Sequence, residues 1–128
     1  MFRIAVPAVV ILLSGPAAAQ DAEAGKDVFK KCAACHMVGD NAKSRVGPVL
    51  NRVVGRPAGS VEGFRYSKAM KSAGDAGLIW SEDEIFAYLE DPSAFLKGFL
   101  DDSKARSKMA FRLKDEKDRR DVVAYLAT

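Results

Sequence analysis

The chain has 128 residues, of which 48% are hydrophobic and 29% are charged, a composition typical of one globular domain. Its 20 basic and 17 acidic residues give a formal net charge of +3, and no run of five Lys or Arg residues occurs. Such a balanced chain is not a nucleic-acid binder that relies on phosphate neutralisation.

The first 19 residues have the pattern of a secretory signal peptide. Arg3 supplies a basic start, an apolar run follows from Ile4 to Leu13, and Ala17-Ala18-Ala19 supplies a small-residue cleavage site. The apolar run is about half the roughly 20 residues that a membrane-spanning helix needs. We therefore predict that residues 1–19 are removed and that residues 20–128 form a single exported, soluble domain. Without Arg3, this domain has 19 basic and 17 acidic residues.

The periodicity of this domain is helical, and no internal repeat or clearly alternating strand occurs. Apolar residues at spacings of three and four predict a first helix that continues through the cysteine pair, namely Ala24, Val28, Phe29 and Cys32. From residue 38 to residue 63, glycines and prolines predict a long loop region. A loop of that length in a compact domain needs something other than the chain to organise it.

Capping signals predict where two further helices begin. Ser67 is a candidate cap for a short helix through Lys71. Ser81, followed three residues later by Glu84, is a capping box for another helix. That helix has to end near residue 91, because a proline follows it.

The C-terminal part predicts a further short helix and a final long one. Residues 93–100 are compatible with one or two helical turns, whereas residues 101–108 are polar and are expected to face solvent. Asp115 is a candidate cap for the last helix, whose apolar face contains Val122, Val123, Tyr125 and Leu126. The predicted fold class is therefore all-α, with separate helices joined by long connections.

The strongest motif is Cys32-Ala33-Ala34-Cys35-His36, the C-x-x-C-H pattern of c-type haem attachment. Thiols three residues apart on a helix share a face and can form thioethers with two vinyl groups on one porphyrin edge, while His36 points at the iron. A zinc site would want four ligands and only three are present. A thiol redox pair would want a βαβ context, and a disulfide across so short a loop would stabilise little. We predict one covalent haem c.

A methionine is the natural second iron ligand, because the chain has no histidine besides His36. Met1 belongs to the signal peptide, and Met37 directly follows His36, so it cannot reach the opposite face of the ring. Met70 has the helical spacing of a core residue. Met109 begins an apolar stretch within a loop, so we favour it over Met70; the alternative is that both merely pack.

Together these residues resemble the class I c-type cytochromes, most closely the cytochrome c2 group of purple bacteria. The resemblance covers nearly all of the domain and implies the small cytochrome c fold, with helices and long loops around one haem. It implies that Gly25 and Phe29 of the first helix cross the last helix at Tyr125 and Leu126.

The resemblance also implies a set of haem contacts. The carbonyl of Pro48 is expected to accept the proton on His36 Nδ1. Arg56, Tyr66 and Trp80 match residues that hold the haem propionates, Tyr88 and Ser107 match positions around the methionine sulfur, and Met109 matches the axial ligand. From composition alone, the three aromatic residues would be expected in the core and Arg56 on the surface. The chain departs from the mitochondrial forms in a longer segment between Pro92 and Met109 and in an extra Gly74-Asp75-Ala76-Gly77.

The resulting functional hypothesis is a soluble periplasmic carrier of single electrons, not an enzyme. The resemblance implies a membrane cytochrome bc1 complex as donor and a photosynthetic reaction centre or a terminal oxidase as acceptor. We expect a monomer that docks on acidic surfaces through Lys30, Lys31, Lys97, Lys104 and Lys108. Two alternatives stay open: an enzyme or gas sensor whose iron has an open sixth position, and a thiol–disulfide protein without haem.

Overall fold

The computed structural model describes residues 9–10 and 21–128, so the signal peptide predicted at residues 1–19 lies outside the described residues except at two positions. The described part contains five α-helices: α1 (Ala22–Phe29), α2 (Lys68–Asp75), α3 (Glu82–Glu90), α4 (Pro92–Leu100) and α5 (Glu116–Leu126). Its only β feature is an isolated bridge between Pro57 and Ile79. The predicted all-α class is confirmed. No helix in these ranges has the length and apolarity to cross a membrane.

Helices α2, α3 and α5 begin where the capping signals predicted, and α4 begins at Pro92, one residue before the predicted segment 93–100. The hydroxyls of Ser67 and Ser81 accept hydrogen bonds from backbone N–H groups three residues ahead. The carboxylates of Asp91 and Asp115 do the same for α4 and α5, and Pro92 is the first residue of α4. A side chain that accepts from the first helical turn satisfies an N–H group that has no partner within the helix.

Two helix ends differ from the prediction. The predicted continuation of α1 through the cysteine pair is wrong, because α1 ends at Phe29. The next three N–H groups, up to that of Cys32, bond to carbonyls three residues back at 2.8–3.2 Å. These bonds tighten the chain into 3₁₀-type turns, so the cysteines lie on turns that follow α1. Helix α2 runs beyond Lys71 to Asp75, and Gly77 then adopts the left-handed φ of 94° that commonly terminates a helix.

The core is built on the crossing of α1 and α5, which come from opposite ends of the domain. The backbones meet at Gly25, where a Cβ atom would overlap the carbonyl oxygen of Asp121 and lie 2.8 Å from Tyr125 Cβ. The rings of Phe29 and Tyr125 pack with centroids 5.5 Å apart. The crossing therefore depends on the absence of a side chain at residue 25.

Asp121 is a buried carboxylate at this crossing, with 2% of its surface exposed. One of its oxygens accepts a hydrogen bond from the N–H of Asp21 at 3.0 Å, and the other accepts from Lys117 Nζ at 2.5 Å. It thus joins the start of α1 to α5.

The Asp121 carboxylate is expected to make the stability of the domain sensitive to acid. The hydrogen bond from Lys117 lowers the pKa of Asp121. A group with a lowered native pKa stabilises the fold above its ordinary pKa, about 3.9 for Asp, and loses this contribution as pH falls through the native pKa. The difference in melting temperature between the wild type and Asp121→Asn should therefore be constant near neutral pH and shrink below about pH 4. A difference that is equally large at all pH values would contradict this.

Candidate haem site

A cavity of about 360 Å³ lies within the helices and the loops that connect them. Most of its wall is apolar, and no Asp or Glu side chain is among the described residues that line it. All ten residues expected from the motif and the resemblance reach this one cavity: Cys32, Cys35, His36, Pro48, Arg56, Tyr66, Trp80, Tyr88, Ser107 and Met109.

His36 is fixed on one side of the cavity. Its Nδ1 lies 2.8 Å from the carbonyl oxygen of Pro48, a distance at which the neutral ring donates its Nδ1 proton and leaves Nε2 as an acceptor. Burial lowers the pKa of His36, which favours this neutral, metal-binding form. The backbone of Gly47 packs on the ring, because a Cβ there would lie 2.7 Å from both ring nitrogens.

The two cysteines lie on one turn beside His36. The N–H groups of Cys35 and His36 both bond to the carbonyl of Cys32, at 3.1 and 2.9 Å. Both thiols are half-buried and unbridged. Burial raises the pKa of Cys32, which disfavours the thiolate that disulfide exchange requires. Within the described ranges no three His, Cys, Asp or Glu side chains form a metal-binding cluster, so the zinc alternative has no ligand set there.

Hydroxyl groups hold the chain at Met109. The Oγ of Ser107 accepts a hydrogen bond from the N–H of Met109 at 3.0 Å and lies 2.7 Å from the hydroxyl of Tyr88. Burial raises the pKa of Tyr88, so this phenol keeps its proton. The N–H of Ser107 donates to Ser93 Oγ at 3.1 Å, a contact that the sequence did not predict.

Met70 lines the same cavity from the first turn of α2. Both methionines that the sequence left as candidate ligands therefore reach the cavity. Both also pack against the hydrophobic core, and the backbone N–H of each donates to a serine hydroxyl, Ser67 for Met70 and Ser107 for Met109. They differ because Ser107 in turn contacts Tyr88 of α3.

Arg56 and Tyr66 add a cation and a phenol to the cavity wall. Arg56 Nη1 donates to the carbonyls of Val49 and Asn51 at 3.0 and 3.1 Å, and the Tyr66 hydroxyl accepts from the N–H of Val61 at 2.9 Å. A positive charge in a wall without carboxylates suits an anionic group such as a haem propionate. The apolar surface, the paired thiols and the oriented imidazole fit the remainder of a haem.

The five lysines of the predicted docking face have different surroundings. Lys30 pairs with Asp27 at 3.2 Å, and Lys31 pairs with Asp118 at 3.4 Å, so nearby carboxylates offset both charges. Lys97 and Lys104 are exposed. Lys108 lines the cavity, and its Nζ donates to the carbonyl of Arg65 at 2.6 Å.

An all-helical fold around such a cavity defines a c-type haem protein. The cytochrome c family matches residues 22–128, and the chain belongs to that family. It therefore binds one covalent haem c and carries electrons, and it is not an enzyme.

Similar proteins include cytochromes c2 of purple bacteria. Cytochrome c2 iso-1 of Rhodospirillum centenum is 53% identical over 110 residues, which cover 81% of this chain and 92% of that protein. Cytochrome c2 of Rhodopseudomonas palustris is 51% identical over 120 residues, covering 89% and 84%. The solved structure of cytochrome c2 from Rhodospirillum centenum superposes with a TM-score of 0.81 at 50% identity, covering 84% of this chain and 96% of that one. The resemblance found in the sequence is confirmed.

Proposed function

We propose that this protein is a periplasmic carrier that takes single electrons from a membrane cytochrome bc1 complex and delivers them to a photosynthetic reaction centre or a terminal oxidase. In this proposal Cys32 and Cys35 hold the haem through thioethers, and His36 and Met109 are the iron ligands. One observation carries the proposal: these four side chains line a single apolar cavity. The signal-peptide pattern of residues 1–19 supports export.

The chain's own residues keep the ligands in place while the charge changes. The bound haem supplies one-electron exchange between Fe(II) and Fe(III). Pro48 orients the His36 ring, and Ser107 holds the N–H of Met109, so neither ligand has to move when an electron is gained or lost. A thioether ligand and apolar walls both disfavour the more positive Fe(III), which raises the reduction potential.

Docking is proposed to use exposed lysines that form no ion pair among the described residues. Lys97 and Lys104 are exposed, whereas Lys30 and Lys31 form ion pairs and contribute less net field. Charge attraction of this kind accelerates encounter with an acidic partner and weakens as salt is added.

The test is the rate of electron transfer from a reduced cytochrome bc1 complex, measured by stopped flow at increasing ionic strength. We expect the rate of the wild type to fall with salt, and Lys97→Glu to lower the low-salt rate by roughly threefold to tenfold. Lys26→Glu is the matched control, because it makes the same charge change at an exposed residue outside the predicted docking set. A rate that does not respond to salt, or equal effects of the two variants, would overturn the docking proposal.

A further inference from the structure

Arg119 is a buried cation that the proposed mechanism does not use. It lies on α5 with 5% of its surface exposed. Its Nε is buried and has no hydrogen-bond partner among the described residues. Burying a guanidinium is costly unless its contacts repay the lost hydration, so the contacts that Arg119 makes indicate what it does.

Those contacts hold the chain that follows Met109. Arg119 Nη1 donates to two successive carbonyls, of Leu113 at 2.9 Å and of Lys114 at 2.7 Å. The N–H of Leu113 in turn donates to the carbonyl of Leu89 in α3 at 2.8 Å. The chain at residues 113 and 114, just beyond the cavity-lining Ala110 and Phe111, is therefore fastened to both α5 and α3.

Arg119 is itself held by α3. Its guanidinium carbon lies 4.6 Å from the centre of the Phe86 ring, and its Nη2 lies 3.7 Å from a carboxylate oxygen of Glu90. Glu90 is largely exposed, so this ion pair is weak and the two carbonyls are the principal partners. A planar guanidinium can lie on an aromatic ring while donating to two carbonyls, which a lysine ammonium cannot reproduce.

Both flanks of Met109 are thus held by α3, and the later flank is held by α5 as well. Before Met109, Ser107 contacts Tyr88 of α3. After it, Arg119 of α5 holds residues 113 and 114. We propose that Arg119 is a positioning residue that keeps the segment after Met109 closed, so that the sulfur of Met109 stays in the haem pocket. This inference rests on the proposed ligation by Met109.

The test compares Arg119→Met and Arg119→Lys with Asp121→Asn in the haem-containing protein. Asp121 is also a buried charged residue of α5, but its bonds go to Asp21 and Lys117 and not to the segment after Met109. For each protein we would measure three quantities: the imidazole affinity of the ferric form, the weak far-red absorption band that sulfur ligation gives ferric haem, and the free energy of unfolding in urea.

Imidazole competes with the methionine sulfur, so its affinity reports how readily the segment opens. We expect Arg119→Met to raise that affinity by about tenfold and Arg119→Lys by less, because the loss of hydrogen bonds from a charged donor favours opening. Asp121→Asn should lower the free energy of unfolding and leave imidazole affinity unchanged. If Arg119→Met yields no haem-containing protein, the imidazole affinity of Arg119→Lys tests the inference.

Unchanged imidazole affinity in the Arg119 variants would overturn the inference, as would an equal rise in Asp121→Asn. Failure of the proposed ligation gives a different result. A wild-type protein that lacks the sulfur band overturns ligation by Met109 itself, whereas a wild type with the band and unresponsive Arg119 variants overturns only the role of Arg119.

Discussion

The Met109→Ala protein is expected to lose the weak far-red band that sulfur ligation gives the ferric state, and to fall in reduction potential. The thioether stabilises Fe(II), and its removal leaves the sixth position to water or an added ligand. We expect a fall on the order of 0.2 V, a moderate part of the roughly 0.8 V over which axial ligands set haem potentials. The ferrous variant should also bind carbon monoxide, which the wild type should exclude.

Met70→Leu is the matched control for this experiment. Met70 lines the same cavity, and leucine nearly conserves its volume, so the packing cost is small. The band and the potential should persist in Met70→Leu. A Met109→Ala protein that retains the band would refute the assignment, and loss of the band in Met70→Leu would transfer the role to Met70. If both methionines only pack in the core and neither binds the iron, the wild-type protein itself should lack the band.

Gly25→Ala is expected to destabilise the domain by about 3 kcal/mol or more, the upper end of what overpacking a well-filled core costs. Alanine in a helix is ordinarily favoured over glycine by about 1 kcal/mol. At Gly25 that gain is outweighed, because the new methyl group would overlap the carbonyl of Asp121 and force α1 away from α5. Unfolding of the haem-containing protein in urea measures the difference.

Gly98→Ala supplies the control at a helical glycine of α4. No atom outside its own neighbourhood lies within 4 Å of a Cβ placed there, so only the propensity gain applies. The variant should be more stable than the wild type by about 1 kcal/mol or less. Equal changes in the free energy of unfolding for Gly25→Ala and Gly98→Ala would show that α1 and α5 do not cross as closely as the structure has it.

Helix starts were predictable from the sequence because their signals are local. A Ser or Asp side chain needs only the next three residues to form a cap, and this held at Ser67, Ser81 and Asp115. The end of α1 had no such signal, since neither glycine nor proline occurs from residue 26 to residue 38. The tightening after Phe29 depends on tertiary surroundings that apolar spacing does not encode.

The residues of the haem site were predicted from the sequence in two ways. The motif at Cys32, Cys35 and His36 is local, and Met109 was favoured by comparing the methionines of the chain. The other six expected contacts came only from the resemblance, because long loops bring them together. Arg119 and Asp121 were missed, since charged residues of a short helix are ordinarily exposed. A signal was present for Arg119, which precedes Val122, Val123 and Leu126 at the spacings of one helical face.

The meeting of α1 with α5 has a consequence for the order of assembly. The hydrogen bond from Asp21 to Asp121 spans a sequence separation of 100 residues, so the crossing cannot form until the C-terminal helix is available. Until then the turn with Cys32 and Cys35 belongs to an open chain, and afterwards both thiols are half-buried. We therefore expect the porphyrin to be attached more readily before the C-terminal helix docks, while both thiols are still accessible.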